Sequence, residues 1–147
     1  MTDGRTSGFT GTEVYMLHEI VGHFDRRARA DTFRVHDVTY AEFLVMMSVR
    51  EQPDASQSGV GAFFDFSPSA VSQKVASLTR KGLVTQQRDE ANRRIVRLAL
   101  TERGGHLLDE MYGDLSTRAS AVFETLGDRR DDFRTALADL LDVLRAG

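Results

Sequence analysis

The segment from Ser67 to Gly82 constrains the fold more than any other stretch, because both ends of a helix are marked in it. Ser67 is a favourable N-cap, and Pro68 suits the first helical position, where a backbone N–H has no partner. Arg80-Lys81-Gly82 places cations at the negative end of the helix dipole and a glycine at the left-handed cap. The apolar positions between these ends form one narrow stripe of Val71, Val75 and Leu78. The sequence therefore predicts a helix that buries a stripe and exposes small and hydrogen-bonding side chains: Ser69, Gln73, Ala76, Ser77 and Arg80.

After Gly82 the spacing of apolar residues changes from helical to alternating. Residues 83–88 and 94–100 are predicted β-strands, and residues 89–93 form a charged turn between them. The sequence therefore predicts a β-hairpin directly after the helix.

Three helices are predicted before this unit. Thr10 and Glu13 have capping-box spacing and open an amphipathic helix. Thr39 and Glu42 form a second capping box, which opens an almost fully buried helix. A short helix is predicted within residues 56–66, although glycine at two of its positions weakens helix propensity.

Two more helices are predicted after the hairpin, the first capped by Thr101 and the second separated from it by Gly127. A helix, a short helix, a third helix and a hairpin in succession make a winged helix-turn-helix, whose last helix enters the major groove of DNA. We therefore expect a mainly α fold with a small β-hairpin wing, in the α+β class.

Composition excludes several classes of function. The 147 residues contain no cysteine, which removes disulfides, thiolate zinc sites and thiol-based redox sensing. No run approaches the ~18 apolar residues of a membrane span, and the N-terminus lacks the regions of a signal peptide, so we expect a cytoplasmic protein without a membrane partner.

The net charge of −3, taken over the whole chain, argues against a nucleic-acid partner. Residues 68–97, however, hold seven basic and two acidic residues, so the acidic excess belongs to the flanks.

The motifs in these elements resemble those of the MarR family of bacterial transcription regulators. The resemblance spans residues 38–108 and rests on Val38-Thr39-x-x-Glu42-Phe43, Ser67-x-x-Ala70-Val71-Ser72, Leu78-x-x-Lys81-Gly82-Leu83-Val84, Arg88-Asp89-x-x-Asn92-Arg93-Arg94 and Leu100-Thr101-x-x-Gly104. It implies one domain over residues 1–147, in which dimerisation helices at 10–34 and 101–147 flank a winged helix-turn-helix at 38–100. It further implies a homodimeric repressor that binds a pseudo-palindromic operator in double-stranded promoter DNA and is nucleoid-associated when bound.

Candidate DNA contacts follow from this resemblance. On the recognition helix they are Ser67, Ser69, Ala70, Ser72, Gln73, Lys74, Ser77 and Arg80, and in the wing they are Arg88, Asp89, Asn92, Arg93 and Arg94. Gln73 stands where the family often has Arg, and an amide prefers adenine whereas a guanidinium prefers guanine. Lys74 flanks the apolar stripe and can reach a phosphate. Arg93 suits a narrow minor groove, and Arg94 is expected to brace the wing, with Asp89 as its partner. The alternative for any single cation is a solvated surface residue, and for the arginine pair at the hairpin tip it is a structural salt bridge.

A small aromatic or phenolic effector is a further expectation, because proteins resembling this family often bind one between the dimerisation helices and the winged domain. The side chains that we select for such a pocket are Tyr40, Phe43, Met47, Met111 and Tyr112, for which the alternative is a place in the core.

No cofactor, metal or catalytic activity is predicted. His18 and His23 are five residues apart, about 140° around a helix, and cannot chelate a metal from one face. The sequence has no phosphate loop, nucleophile elbow or paired catalytic carboxylates. The alternative to a DNA-binding regulator is a winged-helix module that binds another protein without specific DNA binding.

Overall fold

A computed structural model describes residues 9–147, which form seven α-helices and one β-hairpin. The helices are α1 (Glu13–Ala28), α2 (Arg34–His36), α3 (Tyr40–Glu51), α4 (Gln57–Phe64), α5 (Pro68–Arg80), α6 (Glu102–Glu124) and α7 (Arg130–Ala146), and the strands are β1 (Val84–Arg88) and β2 (Val96–Leu100). The hairpin lies between α5 and α6. This architecture confirms the predicted mainly α fold with a small wing.

The first helix begins later than predicted, and its N-cap is Thr12 rather than Thr10. Thr10 lies in a 3-10 turn, Phe9–Gly11, while Thr12 has the extended backbone that an N-cap requires, with φ −80° and ψ 151°. The Thr12 hydroxyl oxygen accepts a hydrogen bond from the Tyr15 N–H at 3.3 Å. The capping-box prediction at Thr10 is therefore wrong because the chain completes one tight turn before the helix starts.

A π-helical segment, Arg29–Phe33, connects α1 to α2. The wider turn lets two successive side chains, Thr32 and Phe33, both be buried. The Phe33 ring meets the rings of Tyr40 and Phe43 edge-on, at centroid distances of 5.7 and 5.6 Å. The end of the π-helical segment is therefore packed against the start of α3.

The chain divides into two compact units, the first ending at Tyr112 and the second consisting of Gly113–Gly147. The core of the first unit is centred on α3, as its continuous apolar pattern predicts. Its fully buried apolar side chains come from α3, α4, α5, the hairpin with the residue before it, and α6: Val45, Met46, Val60, Val71, Val75, Leu78, Leu83, Val84, Leu108 and Met111.

The two strands are antiparallel, and Val84 pairs with Leu100 at the open end of the hairpin. The wing is also attached to the loop before α4, because the Leu98 N–H donates to the Ala55 carbonyl at 2.8 Å and Ser56 forms a bridge with Arg97. β2 starts at Val96 rather than at the predicted residue 94. The tip is wider than expected because Ile95 closes a turn through a bond from its N–H to the Asn92 carbonyl at 2.9 Å.

In the second unit Gly127 has a left-handed backbone, with φ 55°, at the predicted break between α6 and α7. The rings of Phe123 and Phe133 pack across this break at a centroid distance of 6.0 Å. On α7 the side chains of Leu140, Leu141, Val143 and Leu144 are exposed. No helix among residues 9–147 has the length and apolarity needed to cross a membrane.

Candidate nucleic-acid interface

Helix α5 has the predicted caps and the predicted buried stripe. The Ser67 hydroxyl oxygen accepts from the Ala70 N–H at 3.2 Å, and Gly82 has the left-handed φ of 71° expected of a C-terminal cap. Val71, Val75 and Leu78 are at most 1% exposed. Because both ends and one face are held, the opposite face is presented to solvent as a fixed surface.

That exposed face carries most of the predicted contacts. Ser69, Ser72, Gln73 and Arg80 are exposed, and helical spacing brings them to one side of α5. Ala70 and Lys74 are half-buried at the edge of this face, and Ser67 is exposed at its N-terminal end. The structure therefore brings seven of the eight predicted helix positions to one accessible surface and its margins.

Ser77 is different, and its predicted exposure on this face is wrong. Its side chain is half-buried, and its hydroxyl donates to Glu42 Oε1 at 2.6 Å. A buried carboxylate attracts the nearest donor strongly, so this hydroxyl points toward α3.

Glu42 is the centre of a polar cluster between α3 and α5. The Thr39 N–H donates to Oε2 at 2.9 Å, and the Lys81 ammonium donates to the same oxygen at 3.0 Å. Burial by itself would raise the pKa of the Glu42 carboxyl, but the hydrogen bonds from Ser77, the Thr39 backbone and Lys81 hold this pKa below its usual value. Sequence analysis found the capping box but missed the link from Glu42 to α5, for which local spacing holds no signal.

The wing tip is organised by Asp89. Its Oδ1 accepts from the N–H groups of Ala91 and Asn92, both at 2.9 Å, and its Oδ2 accepts from Arg97 Nε at 2.9 Å. The bond from Asn92, followed by that from Arg97, lowers the pKa of the Asp89 carboxyl from its usual value. Arg97 also donates to the Asp54 carbonyl at 2.8 Å, which joins the wing to the loop before α4.

The predicted brace between Arg94 and Asp89 is therefore wrong, and Arg97 makes it instead. Arg97 lies opposite Gln87 in the hairpin register, two residues from Asp89, so the strand pairing brings the two charges together. A diagonal cross-strand pair of this kind is the signal that could have found it.

The other wing arginines are turned outward. Arg93 and Arg94 are exposed, and neither makes an ion pair within the part of the chain that the structure describes. Arg88 donates to the Arg93 carbonyl at 2.8 Å, and Asn92 Oδ1 accepts from the Arg94 N–H at 3.1 Å. The hydrogen bonds at the tip thus hold the backbone and leave two guanidinium groups available.

Arg94 also borders a cleft between the wing and α4, with a volume of about 410 Å³. Gln57 and Ser58 at the start of α4 and Pro68 at the start of α5 line the same cleft. These two polar residues of α4 extend the accessible polar surface beyond the residues that sequence analysis selected.

The five side chains selected for an effector pocket lie in three environments of the first unit. Phe43 and Met111 are buried in the core, Met47 is half-buried, and Tyr40 and Tyr112 are 44% and 53% exposed. Partial burial, and then the negative charge of Asp25, raise the pKa of the Tyr40 hydroxyl above its usual value. Between residues 9 and 147 there is no group of three or more histidine, aspartate and glutamate side chains that could hold a metal ion.

A family model described as the MarR family matches residues 36–95, which run from the end of α2 to the tip of the wing. The chain is also similar to the uncharacterized HTH-type transcriptional regulator YhbI of Bacillus subtilis (strain 168). The two are 22% identical over 147 residues, which cover 100% of this chain and 96% of that protein.

Two solved structures have the same fold. The structure of the transcriptional repressor CouR bound to a 23-mer DNA duplex superposes with a TM-score of 0.79 at 19% identity, covering 98% of this chain and 99% of that one. The structure of Bordetella bronchiseptica BpsR, described for regulation of its DNA binding by 6-hydroxynicotinic acid, has a TM-score of 0.76 at 22% identity, covering 95% and 97%. The family model matches the helix-turn-helix and the first strand and tip of the wing, so over residues 36–95 the chain is similar to the MarR family.

Proposed function

We propose that the chain is a sequence-specific double-stranded-DNA-binding transcription regulator, a homodimeric repressor that binds a pseudo-palindromic operator. The observation that carries the proposal is the exposed polar face of α5 beside a wing whose Arg93 and Arg94 point outward. A helix that exposes small and hydrogen-bonding side chains can approach base edges closely, and outward cations suit the phosphate backbone and the minor groove. The fold shared with the DNA-bound repressor CouR supports this use of the surface.

Each contact has a distinct role in the proposal. The Gln73 amide reads a base edge, with adenine preferred, and Ser69 and Ser72 contact bases or phosphates beside it. Lys74 and Arg80 neutralise phosphates at the two edges of the groove. Arg93 enters the minor groove next to the half-site. Arg94, together with the nearby Gln57 and Ser58, contacts the phosphate backbone of the DNA.

Dimerisation is supported by apolar side chains that each compact unit leaves exposed. On α1 they are Val14, Met16, Leu17, Ile20 and Val21, and on α7 they are Leu140, Leu141, Val143 and Leu144. Contiguous exposed apolar residues of this size are characteristic of a protein interface. In a symmetric dimer the two copies of α5 reach successive major grooves, about 34–36 Å apart.

The proposal includes release of the operator by a small aromatic or phenolic molecule, for which the relative BpsR is a precedent. Such a ligand acts only by binding one spacing of the recognition helices more tightly than the other. Tyr40 and Tyr112 are the accessible members of the selected set, and Met47 is half-buried. The proposal gives the chain a place in the bacterial cytoplasm, at the nucleoid when bound, and no catalytic activity.

The decisive experiment is selection of genomic fragments by the purified full-length chain, followed by binding measurements on the selected duplex. We expect enrichment of a pseudo-palindromic site and an affinity that falls log-linearly with salt, by about 0.9 log units per neutralised phosphate and per tenfold salt. Gln73→Ala weakens binding to the selected site, whereas Thr135→Ala on the exposed surface of α7 serves as the matched control. Enrichment of no sequence, with binding of a protein that is insensitive to salt, would favour the protein-interaction module instead.

A further inference from the structure

Glu42 makes more contacts than a capping residue needs. In a capping box the N3 carboxylate accepts from the N-cap backbone N–H, and Glu42 does this through Oε2 and Thr39. Oε1 accepts a hydrogen bond from the Ser77 hydroxyl, and Oε2 accepts a second one from the Lys81 ammonium. Ser77 and Lys81 lie 35 and 39 residues further along the chain. The carboxylate is 3% exposed, so it is available to α5 and not to solvent.

The link reaches α5 at its C-terminal end. Lys81 lies at the C-cap of α5, and its ammonium donates to Glu42 at 3.0 Å and to the Asp37 carbonyl at 2.6 Å. Asp37 ends α2 with a left-handed φ of 52°. The C-terminal end of α5 is therefore fastened to the α2–α3 junction by three directed contacts, those of Ser77 and both bonds of Lys81.

Hydrogen bonds restrict the rotation of α5 about its axis, which apolar packing restricts only weakly. The stripe of Val71, Val75 and Leu78 holds α5 against the core, but apolar attraction is non-directional and constrains rotation about the helix axis weakly. Hydrogen bonds to a charged group are short and sensitive to angle. Ser77 lies one turn from Gln73 and Lys74 on α5, so the bond that orients Ser77 also orients these two side chains.

We propose that Glu42 is a positioning residue for DNA recognition: through Ser77 and Lys81 its carboxylate sets the rotation and axial position of α5 in the major groove. The inference rests on the proposed function and adds to it a residue that is buried and does not touch DNA.

The test compares affinity for the selected operator with affinity for an unrelated duplex of equal length and salt. Glu42→Gln keeps the size of the side chain but replaces one acceptor by an NH₂ donor that faces other donors. We expect this variant to lose about tenfold in the ratio of the two affinities, the effect of one misplaced base contact. Lys81→Met, which keeps the apolar stem, is expected to lower the ratio in the same direction and serves if Glu42→Gln does not fold.

Leu108→Val is the control for stability, since Leu108 is buried on α6 and removing one methylene breaks no hydrogen bond to α5. It should reduce the thermal midpoint and leave the affinity ratio unchanged. An unchanged ratio in folded Glu42→Gln, or an equal fall in Leu108→Val, would overturn the positioning role. If the wild-type chain itself prefers no duplex, the proposed function fails, and this inference fails with it.

Discussion

At the scale of single residues, Gly104 marks a close approach of two backbone segments. A Cβ on Gly104 would overlap the Leu83 carbonyl oxygen, which itself accepts a hydrogen bond from the Thr101 N–H at 3.1 Å. The start of α6 is thus in backbone contact with the start of the hairpin, directly behind the cap of α5. The glycine of the Leu-Thr-x-x-Gly motif is required by this contact.

We expect Gly104→Ala to lower the free energy of unfolding by about 1–3 kcal/mol, because the added methyl group meets backbone rather than a flexible side chain. Gly105→Ala is the matched control. The nearest atom to its Cβ is a side-chain nitrogen of Arg50 at 4.0 Å, and alanine favours a helix interior by up to about 1 kcal/mol. Urea unfolding of both variants measures the difference, and equal stabilities would contradict the close contact.

The proposed contact of the wing with the DNA minor groove depends on Arg93. We expect Arg93→Ala to weaken operator binding at fixed salt by about 1–3 kcal/mol, because a guanidinium in a narrow minor groove is lost. Arg145→Ala, which removes the same charge from α7, is the control for a general charge effect. Titration of a labelled operator with each variant gives the comparison, and unchanged affinity in Arg93→Ala would show that the minor-groove assignment is wrong.

At the scale of elements, one charged side chain of the wing and one of α3 make hydrogen bonds that reach beyond their own elements. Arg97 joins β2 to the Asp89 turn and to the Asp54 carbonyl, and Glu42 joins α3 to α5. Each link contains a hydrogen-bonded ion pair, Arg97 with Asp89 and Lys81 with Glu42, and adds directed contacts to the apolar packing. The orientation of the wing and of α5 therefore depends on polar contacts as well as on apolar packing.

We expect Arg97→Met to loosen the wing tip without unfolding the core. Amide hydrogen exchange should increase at Ala91 and Asn92, whose N–H groups bind the Asp89 carboxylate that Arg97 holds. Arg94→Ala should reduce operator affinity with no such increase, because Arg94 makes no ion pair within residues 9–147. Faster exchange in both variants, or in neither, would contradict the assignment of the brace to Arg97.

The Glu42 cluster gives stability a defined dependence on pH. The folded-state pKa of Glu42 lies below its unfolded value, so the ionised carboxylate stabilises the fold fully above the unfolded pKa of about 4.3 and loses that contribution as pH falls through the folded pKa. We expect wild type to lose more stability than Glu42→Gln between about pH 5 and pH 3. Denaturant unfolding at each pH measures the two slopes, and parallel curves would contradict the lowered pKa.

At the scale of the whole molecule, charge is distributed by region. The net charge of −3 arises from acidic flanks around residues 68–97, which hold seven basic and two acidic residues. Asp89, one of those two acids, is paired with Arg97. The region that carries α5 and the wing therefore presents an excess of cations to solvent, which favours phosphate contacts despite the acidic total.

We expect the 16.4 kDa chain to sediment as a dimer at micromolar concentration. Leu144→Glu should shift it toward monomer, because Leu144 is 76% exposed and a charge in an apolar interface is left unpaired. Thr135→Glu adds the same charge on the opposite face of α7 and should leave the dimer intact. A monomeric wild type in sedimentation velocity would contradict dimerisation.

The sequence by itself determined the order of the elements, because their ends are marked by local chemistry. Ser67 and Pro68, Thr39 with Glu42, and Gly82 act through backbone groups a few residues away, and the structure has each of these ends where the sequence predicts it. The succession of a helix, a short helix, a third helix and a hairpin predicted the winged helix-turn-helix. The predicted N-cap at Thr10 is wrong because Thr12, two residues later, caps the helix instead.

Only the tertiary structure decided which of the polar side chains beside the apolar pattern are exposed and which are bound within the fold. Four polar residues have the same kind of position in the sequence, beside an apolar pattern: Arg94, Arg97, Ser77 and Lys81. In the structure Arg94 faces outward, whereas the other three make hydrogen bonds within the fold. Their partners, Asp89 and Glu42, are 8 and at least 35 residues distant, and a hydrogen bond at such separation depends on how the elements pack. Local periodicity holds no information on that packing, because the same buried stripe is compatible with several rotations of a helix, and the directed polar contacts select one.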